Sequence, residues 1–187
     1  HGYGSNERDL FSLIDYFPID SYVISLRAPK ELFNDSYAWY DIYLDSNNKF
    51  YDHDAAARVR DELFHFIDDL SKSPNIDSNN ITLIGFSQGA ILSHAISFSY
   101  PEKIKNIIAL SGVVDEKIMK KTSLIPKTNI YISHGTNDNL IDYETCKESL
   151  NFYIENDIKF KFESYDQGHG ISQQNLEAMI KWLIRNI

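Results

Sequence analysis

The chain carries a single cysteine, Cys146, among its 187 residues. No disulfide can form within it, and the lone thiol fits a reducing compartment, so a cytoplasmic location is expected. No stretch is long and apolar enough to span a bilayer, which argues against stable membrane insertion. Basic residues are in deficit: Lys and Arg number 18 against 27 Asp and Glu, a formal charge of −9. A surface of that sign repels phosphate, so neither nucleic acid nor an anionic lipid surface is expected as a partner. Internal repeats, low-complexity tracts and linkers are missing as well. What remains is 43% hydrophobic and 13% aromatic, which suits one domain over residues 1–187 around a single core.

Short β-rich runs alternate with helical patterns. Residues 21–29, "SYVISLRAP", read as a strand closed by proline. A polar and aromatic stretch follows, from Lys30 to about Asp52. Ala56, Val59, Leu63, Phe66 and Leu70 then recur at helical spacing. "ITLIGFS" is an apolar run entering a glycine turn, and "QGAILSHAISFSY" continues as a helix stopped by Pro101. "NIIALSG" and "TNIYISHG" are further strands, residues 143–154 read as helical, "IKFKFESYD" alternates as a strand, and Leu176, Met179, Ile180 and Leu183 mark a last helix. Apolar strands separated by helices predict an α/β fold with a mainly parallel sheet covered on both faces. Ligands of such sheets sit beyond the carboxyl ends of the strands, so the residues just after each strand are the candidates for function.

"GFSQG", Gly85–Gly89, fits G-x-S-x-G between a strand and a helix. The serine has to occupy a sharp, strained turn, and side chains at the flanking positions would clash. The turn lifts the Ser87 hydroxyl clear of the sheet and leaves the Gln88 amide at a helix N-terminus, aimed at developing negative charge. The competing reading is an ordinary turn with a capping serine.

A serine hydroxyl needs a histidine to take its proton and a carboxylate to orient that histidine. His94 lies down the helix from Ser87 and points away from the strand ends, while His53 and His65 belong to the early helical region. His169, in "SYDQGHGI", follows the last strand on a loop with glycine on both sides, whereas His134, in "SHGTND", is expected to support a turn. The order Ser, Asp, His selects Asp138 and His169. Asp115, which also follows a strand, is the rival acid. Asp142 reads as a helix N-cap and Asp166 as a strand-end charge.

These residues carry a resemblance. "HGYGSNE", "RAP", "WYD", "GFSQGA", "HGTND" and "GHG" occur in the order and spacing of the phospholipase/carboxylesterase family, the group that includes acyl-protein thioesterases. The resemblance implies an α/β-hydrolase fold, a triad of Ser87, Asp138 and His169, and no metal or organic cofactor. It further implies an oxyanion hole built from the backbone amides of Tyr3 and Gln88, and it sets Trp39, in "WYD", near the substrate pocket with Tyr40 beside it. Two departures stand out. "NLID" after Asp138 lacks the valine-rich, proline-ended segment of many members, and no strand feeds "HGYG". An apolar strand is therefore expected before His1 in the intact protein.

A triad does not specify the acyl group. The aromatic residues Phe33, Tyr37, Trp39, Tyr40, Tyr43, Phe50 and Tyr51 sit on a long connection, as a lid or pocket wall would. The alternative is a hydrophobic cluster beneath a long loop. Oxygen or thio esters of short to medium acyl chains are the expected small-molecule substrates, with lysophospholipase or acyl-protein thioesterase activity as alternatives and a homodimer left open. Competing readings are a peptide or lactone hydrolase and a non-catalytic binding member of the fold. Cys146 is expected to be inert and Arg27 structural.

Overall fold

Val- and Ile-rich runs cannot satisfy their own backbone groups and must pair. The computed structural model describes residues 1–18, 20–45 and 48–187. It opens with the "HGYG" loop and a short helix, α1 (Arg8–Phe11). Two antiparallel hairpins follow, β1 (Lys30–Phe33) with β2 (Ser36–Ala38) and β3 (Ile42–Asp45) with β4 (Asn48–Tyr51). Helix α2 (His53–Leu70) starts at Asp52, whose carboxylate accepts from the amides of Asp54 and Ala55. Then come β5 (Thr82–Phe86), α3 (Gln88–Ser99), β6 (Asn106–Leu110), β7 (Asn129–Gly135), α4 (Tyr143–Ser149), α5 (Asn151–Glu155), β8 (Lys161–Tyr165) and α6 (Gln173–Asn186).

Strands β5, β6, β7 and β8 form one parallel sheet in that order. Its two faces are covered as the pleat dictates. Ile107 and Ala109 of β6 share a cluster with Ala90 and Ile96 of α3, whereas Ile108 and Leu110 pack with Leu176, Met179 and Leu183 of α6. Helix α3 is buried on all sides beneath the sheet and α2, which explains why its sequence carries no polar face. The register brings Phe86 opposite Leu110, Leu110 opposite Ser133 and Gly135 opposite Tyr165, so the strands end together and the following loops share one rim.

Two sequence expectations need correction. Residues 21–29 form no strand; among the described residues β5 pairs with β6 alone, and its other edge faces a cavity of about 720 Å3. That cavity is lined by Val23, Ile24 and Leu26 as well as by Thr82 and Ile84. Residues 21–28 have the composition of a strand but no neighbouring backbone to ladder with. The stretch after Lys30 is not an open loop but the two hairpins, the first turning at Asn34 and Asp35, both with positive φ. The segment 143–154 is helical with a break at Leu150.

Candidate active site

The nucleophile candidate sits where the strand–helix junction is tightest. Ser87 has φ 54° and ψ −114°, a strained region for a side-chain-bearing residue, and its amide donates to the Leu110 carbonyl at 2.9 Å. A Cβ on Gly85 would stand 2.2 Å from the Gly89 carbonyl oxygen, so glycine is required there. Ser87 occupies the N-cap position of α3 but makes no capping hydrogen bond through its side chain. The capping-serine reading therefore fails, and the hydroxyl is left uncommitted.

The "HGYG" loop lies directly on this elbow. A Cβ on Gly2 would fall 3.2 Å from the Ser87 Cβ. The loop is pinned from several sides. The His1 ring bonds through Nδ1 to the Gly2 carbonyl at 2.8 Å and accepts the Ala28 amide at Nε2 at 3.0 Å, which fixes hydrogen on Nδ1. Gly4 and Ser5 exchange backbone bonds with Tyr37 of β2, both at 2.8 Å. Arg27 grips Glu7 with Nε at 2.6 Å and Nη2 at 2.5 Å, a fork that ties "RAP" to the loop. Among the described residues, neither the Tyr3 amide nor the Gln88 amide has an acceptor. The Gln88 amide adjoins Ser87 in the chain, and the Tyr3 amide follows Gly2, which abuts Ser87.

The Gln88 side chain, fully buried, makes a second link. Its Oε1 accepts the Trp39 amide at 3.1 Å and its Nε2 donates to the Tyr40 carbonyl at 2.8 Å. Trp39 in turn donates its indole N–H to the His1 carbonyl at 2.9 Å. Trp39 and Tyr40 thus belong to a buried cluster with Ala56, Ile91, Leu92 and Ile118, which matches the cluster alternative for this stretch. Phe33 and Tyr43 are exposed, and the side chain of Phe50 lies outside those described.

The acid and base candidates meet as the order of motifs suggested. His169 Nδ1 stands 2.7 Å from Asp138 Oδ2. A carboxylate only accepts, so Nδ1 carries the hydrogen and Nε2 presents its lone pair. The His169 ring lies 4.9 Å from that of Phe86, the residue before Ser87. Among the described residues no hydrogen bond joins Ser87 to His169, a separation common before substrate binds. The loop bearing His169 is braced by Gln167, whose amide donates to the Gly170 carbonyl at 2.6 Å and accepts the Ser172 amide at 2.8 Å.

Asp138 is buried, and burial alone would raise its pKa. The Ile141 amide, the His169 contact and the Leu140 amide overcome that and hold the carboxyl below its ordinary value. Asp115 is engaged elsewhere, accepting from the Tyr51 hydroxyl and the Lys117 amide and lying 3.5 Å from His53 Nε2. His94 is fully buried against the Tyr153 hydroxyl, and desolvation pushes its pKa down to about 3. Burial pushes the Cys146 thiol up to about 12, so it is no nucleophile at neutral pH. Asp142 caps α4, as read from the sequence. Sequence reasoning missed His1 as a loop anchor and the clamps by Gln88 and Gln167; polar residues inside the short motifs were the available signal. Among the described residues no group of His, Cys, Asp or Glu is gathered to hold a metal ion, and no helix is long and apolar enough to cross a membrane.

The model of the phospholipase/carboxylesterase family matches residues 1–187. The chain belongs to that family. Among its relatives, acyl-protein thioesterase 1 of Candida albicans is 31% identical over 159 residues, 80% of this chain and 68% of that protein. Acyl-protein thioesterase 1 of Yarrowia lipolytica is 30% identical over 119 residues, 60% of this chain and 52% of that protein. The chain thus spans about half to two thirds of the length of these relatives. The crystal structure of a Bacillus cereus carboxylesterase superposes with a TM-score of 0.83 at 24% identity, covering 100% of this chain and 86% of that one. The architecture of this family member is therefore that of the α/β-hydrolases, with the sheet and flanking helices described above.

Proposed function

We propose that the protein is a serine esterase in which Ser87 is the nucleophile, His169 the general base and Asp138 the orienting acid. The observation that carries the reading is the 2.7 Å Asp138–His169 contact, made on the rim where the Ser87 hydroxyl is left free. His169 Nε2 takes the hydroxyl proton as Ser87 Oγ attacks the acyl carbon. The amides of Tyr3 and Gln88 receive the negative charge that builds on the carbonyl oxygen. His169 then protonates the departing alcohol or thiol, leaving an acyl-serine. Water repeats the sequence, giving its proton to His169 and releasing the acid. Asp138 keeps the imidazole in the tautomer these steps require.

Family membership favours oxygen or thio esters of small molecules, and the names of the Candida and Yarrowia relatives favour including acyl thioesters among the substrates. The side chains of Tyr3, whose amide is the proposed oxyanion donor, and of Leu140, two residues after Asp138, are exposed apolar groups that would contact a short or medium acyl chain. Trp39 and Tyr40 serve the site by holding the oxyanion loop from beneath. The lone, unbridged thiol fits a cytoplasmic setting, which is part of this reading. The test is steady-state hydrolysis of matched oxygen and thio esters of increasing chain length by the full-length protein. The expected optimum falls at short to medium chains; a rate that climbs steadily to long-chain triglycerides at a lipid interface, or hydrolysis of peptides alone, would contradict it.

A further inference from the structure

His134 lies near the end of β7, with its ring fully buried, and the mechanism above makes no use of it. Its contacts settle its protonation. Nε2 is 2.8 Å from the Ile141 carbonyl oxygen, which can only accept, so Nε2 carries hydrogen. Nδ1 is buried and has no partner; a hydrogen there would be a donor with nothing to bond. The geometry thus places the hydrogen on Nε2 and leaves Nδ1 without one. The same Nε2 faces Asp138 Oδ2 at 3.3 Å, the longer arm of a divided hydrogen bond.

Asp138 Oδ2 is the oxygen that binds His169 Nδ1, while Oδ1 receives the amides of Leu140 at 2.8 Å and Ile141 at 2.9 Å. The turn from Asp138 to Ile141 is thus closed twice, through the Ile141 amide by Asp138 and through the Ile141 carbonyl by His134. From α4, Tyr143 presents its ring 6.4 Å from that of His134, and the Cys146 thiol, which feels the charge of Asp138, is held neutral first by burial. Among these neighbours the carboxylate of Asp138 is the charge that His134 meets.

We propose that His134 is a positioning residue for the acid–base pair, its Nε2–H holding the 138–141 turn and the Asp138 carboxylate so that Oδ2 stays on His169 Nδ1. The inference rests on the Ser87, His169 and Asp138 reading above. Taking away this N–H frees the turn to rotate, and fewer molecules hold the pair aligned, so kcat falls. In the molecules that keep the pair aligned, Oδ2 has lost a competing donor, so it bonds His169 more strongly and makes that imidazole more basic. The acidic limb of kcat/KM moves to higher pH. A role in packing alone would lower thermal stability and move neither.

His134→Gln and His134→Asn separate these roles in the full-length protein. The glutamine amide reaches the place of Nε2, whereas the asparagine amide stops near Nδ1. His134→Gln is expected to keep kcat within about threefold, and His134→Asn to lose about tenfold in kcat with little change in KM and with the acidic limb shifted upward. Equal kcat and pH profiles in both variants and the wild type, once folding is confirmed, would overturn the role of His134. Should the asparagine variant not fold, nitrogen NMR of the wild type decides: hydrogen held on Nε2 through neutral pH supports the proposal, and hydrogen on Nδ1 overturns it. Labelling of wild-type Ser87 by a fluorophosphonate keeps the two questions apart, since no labelling removes the esterase reading itself, whatever His134 does.

Discussion

At the scale of the residue, the proposed reactivity comes from what is left unbonded. Among the described residues, the Ser87 hydroxyl, the His169 Nε2 lone pair and the amides of Tyr3 and Gln88 make no hydrogen bond. Ser87→Ala is expected to lower kcat by at least about a thousandfold while leaving the fold intact, as measured by ester hydrolysis and circular dichroism. The pH dependence follows from the same contacts. The Asp138 pKa is depressed, so the stability and orientation it contributes are present above its unfolded value of about 3.9 and are lost only as pH falls through the lower folded value. If His169 is the general base, activity is expected to fall toward acidic pH, because a protonated Nε2 cannot take the Ser87 proton. A rate profile flat from about pH 5 to 9 would contradict that assignment.

At the scale of the element, the site depends on how the first loop is held against α3. Gln88 binds the Trp39–Tyr40 backbone, and Trp39 binds the His1 carbonyl, so three short motifs form one connected polar path. Trp39→Phe keeps most of the buried ring but removes the bond to His1. It is expected to cost about 1 kcal/mol in stability and to reduce kcat severalfold, read from denaturant unfolding and steady-state rates. Gln88→Leu, which leaves the buried amide of Trp39 and carbonyl of Tyr40 without partners, should cost more, about 2–3 kcal/mol by the same unfolding measurement.

The parallel strands and the elbow were legible in the sequence because each is a local pattern: an apolar run, then glycines at fixed spacing. Asp138 and His169 were legible because the strand-end rule reduced the choice. Residues 21–28 misled because β composition reports fitness for a sheet, not the presence of a neighbour to pair with. The β1–β2 hairpin escaped notice although Asn34–Asp35 between Phe33 and Tyr37 is a turn signal, because strands this short hold too few residues to show alternation. The reach of Gln88 to Trp39 could not be read at all, since it joins residues far apart in the chain.

At the scale of the whole molecule, the surface charge of −9 and the aligned strand ends set what can approach. Neutral or weakly charged esters are expected to be hydrolysed at rates that change little with salt, whereas anionic vesicles and duplex DNA should show no binding in sedimentation or mobility-shift assays. Ser87, driven by His169, is the group proposed to be acylated. Intact-mass measurement after treatment with a fluorophosphonate tests it most directly. One adduct per chain is expected on the wild type, located at Ser87, with none on Ser87→Ala and much slower labelling of His169→Ala. An unlabelled wild type, or an adduct that survives in Ser87→Ala, would contradict it.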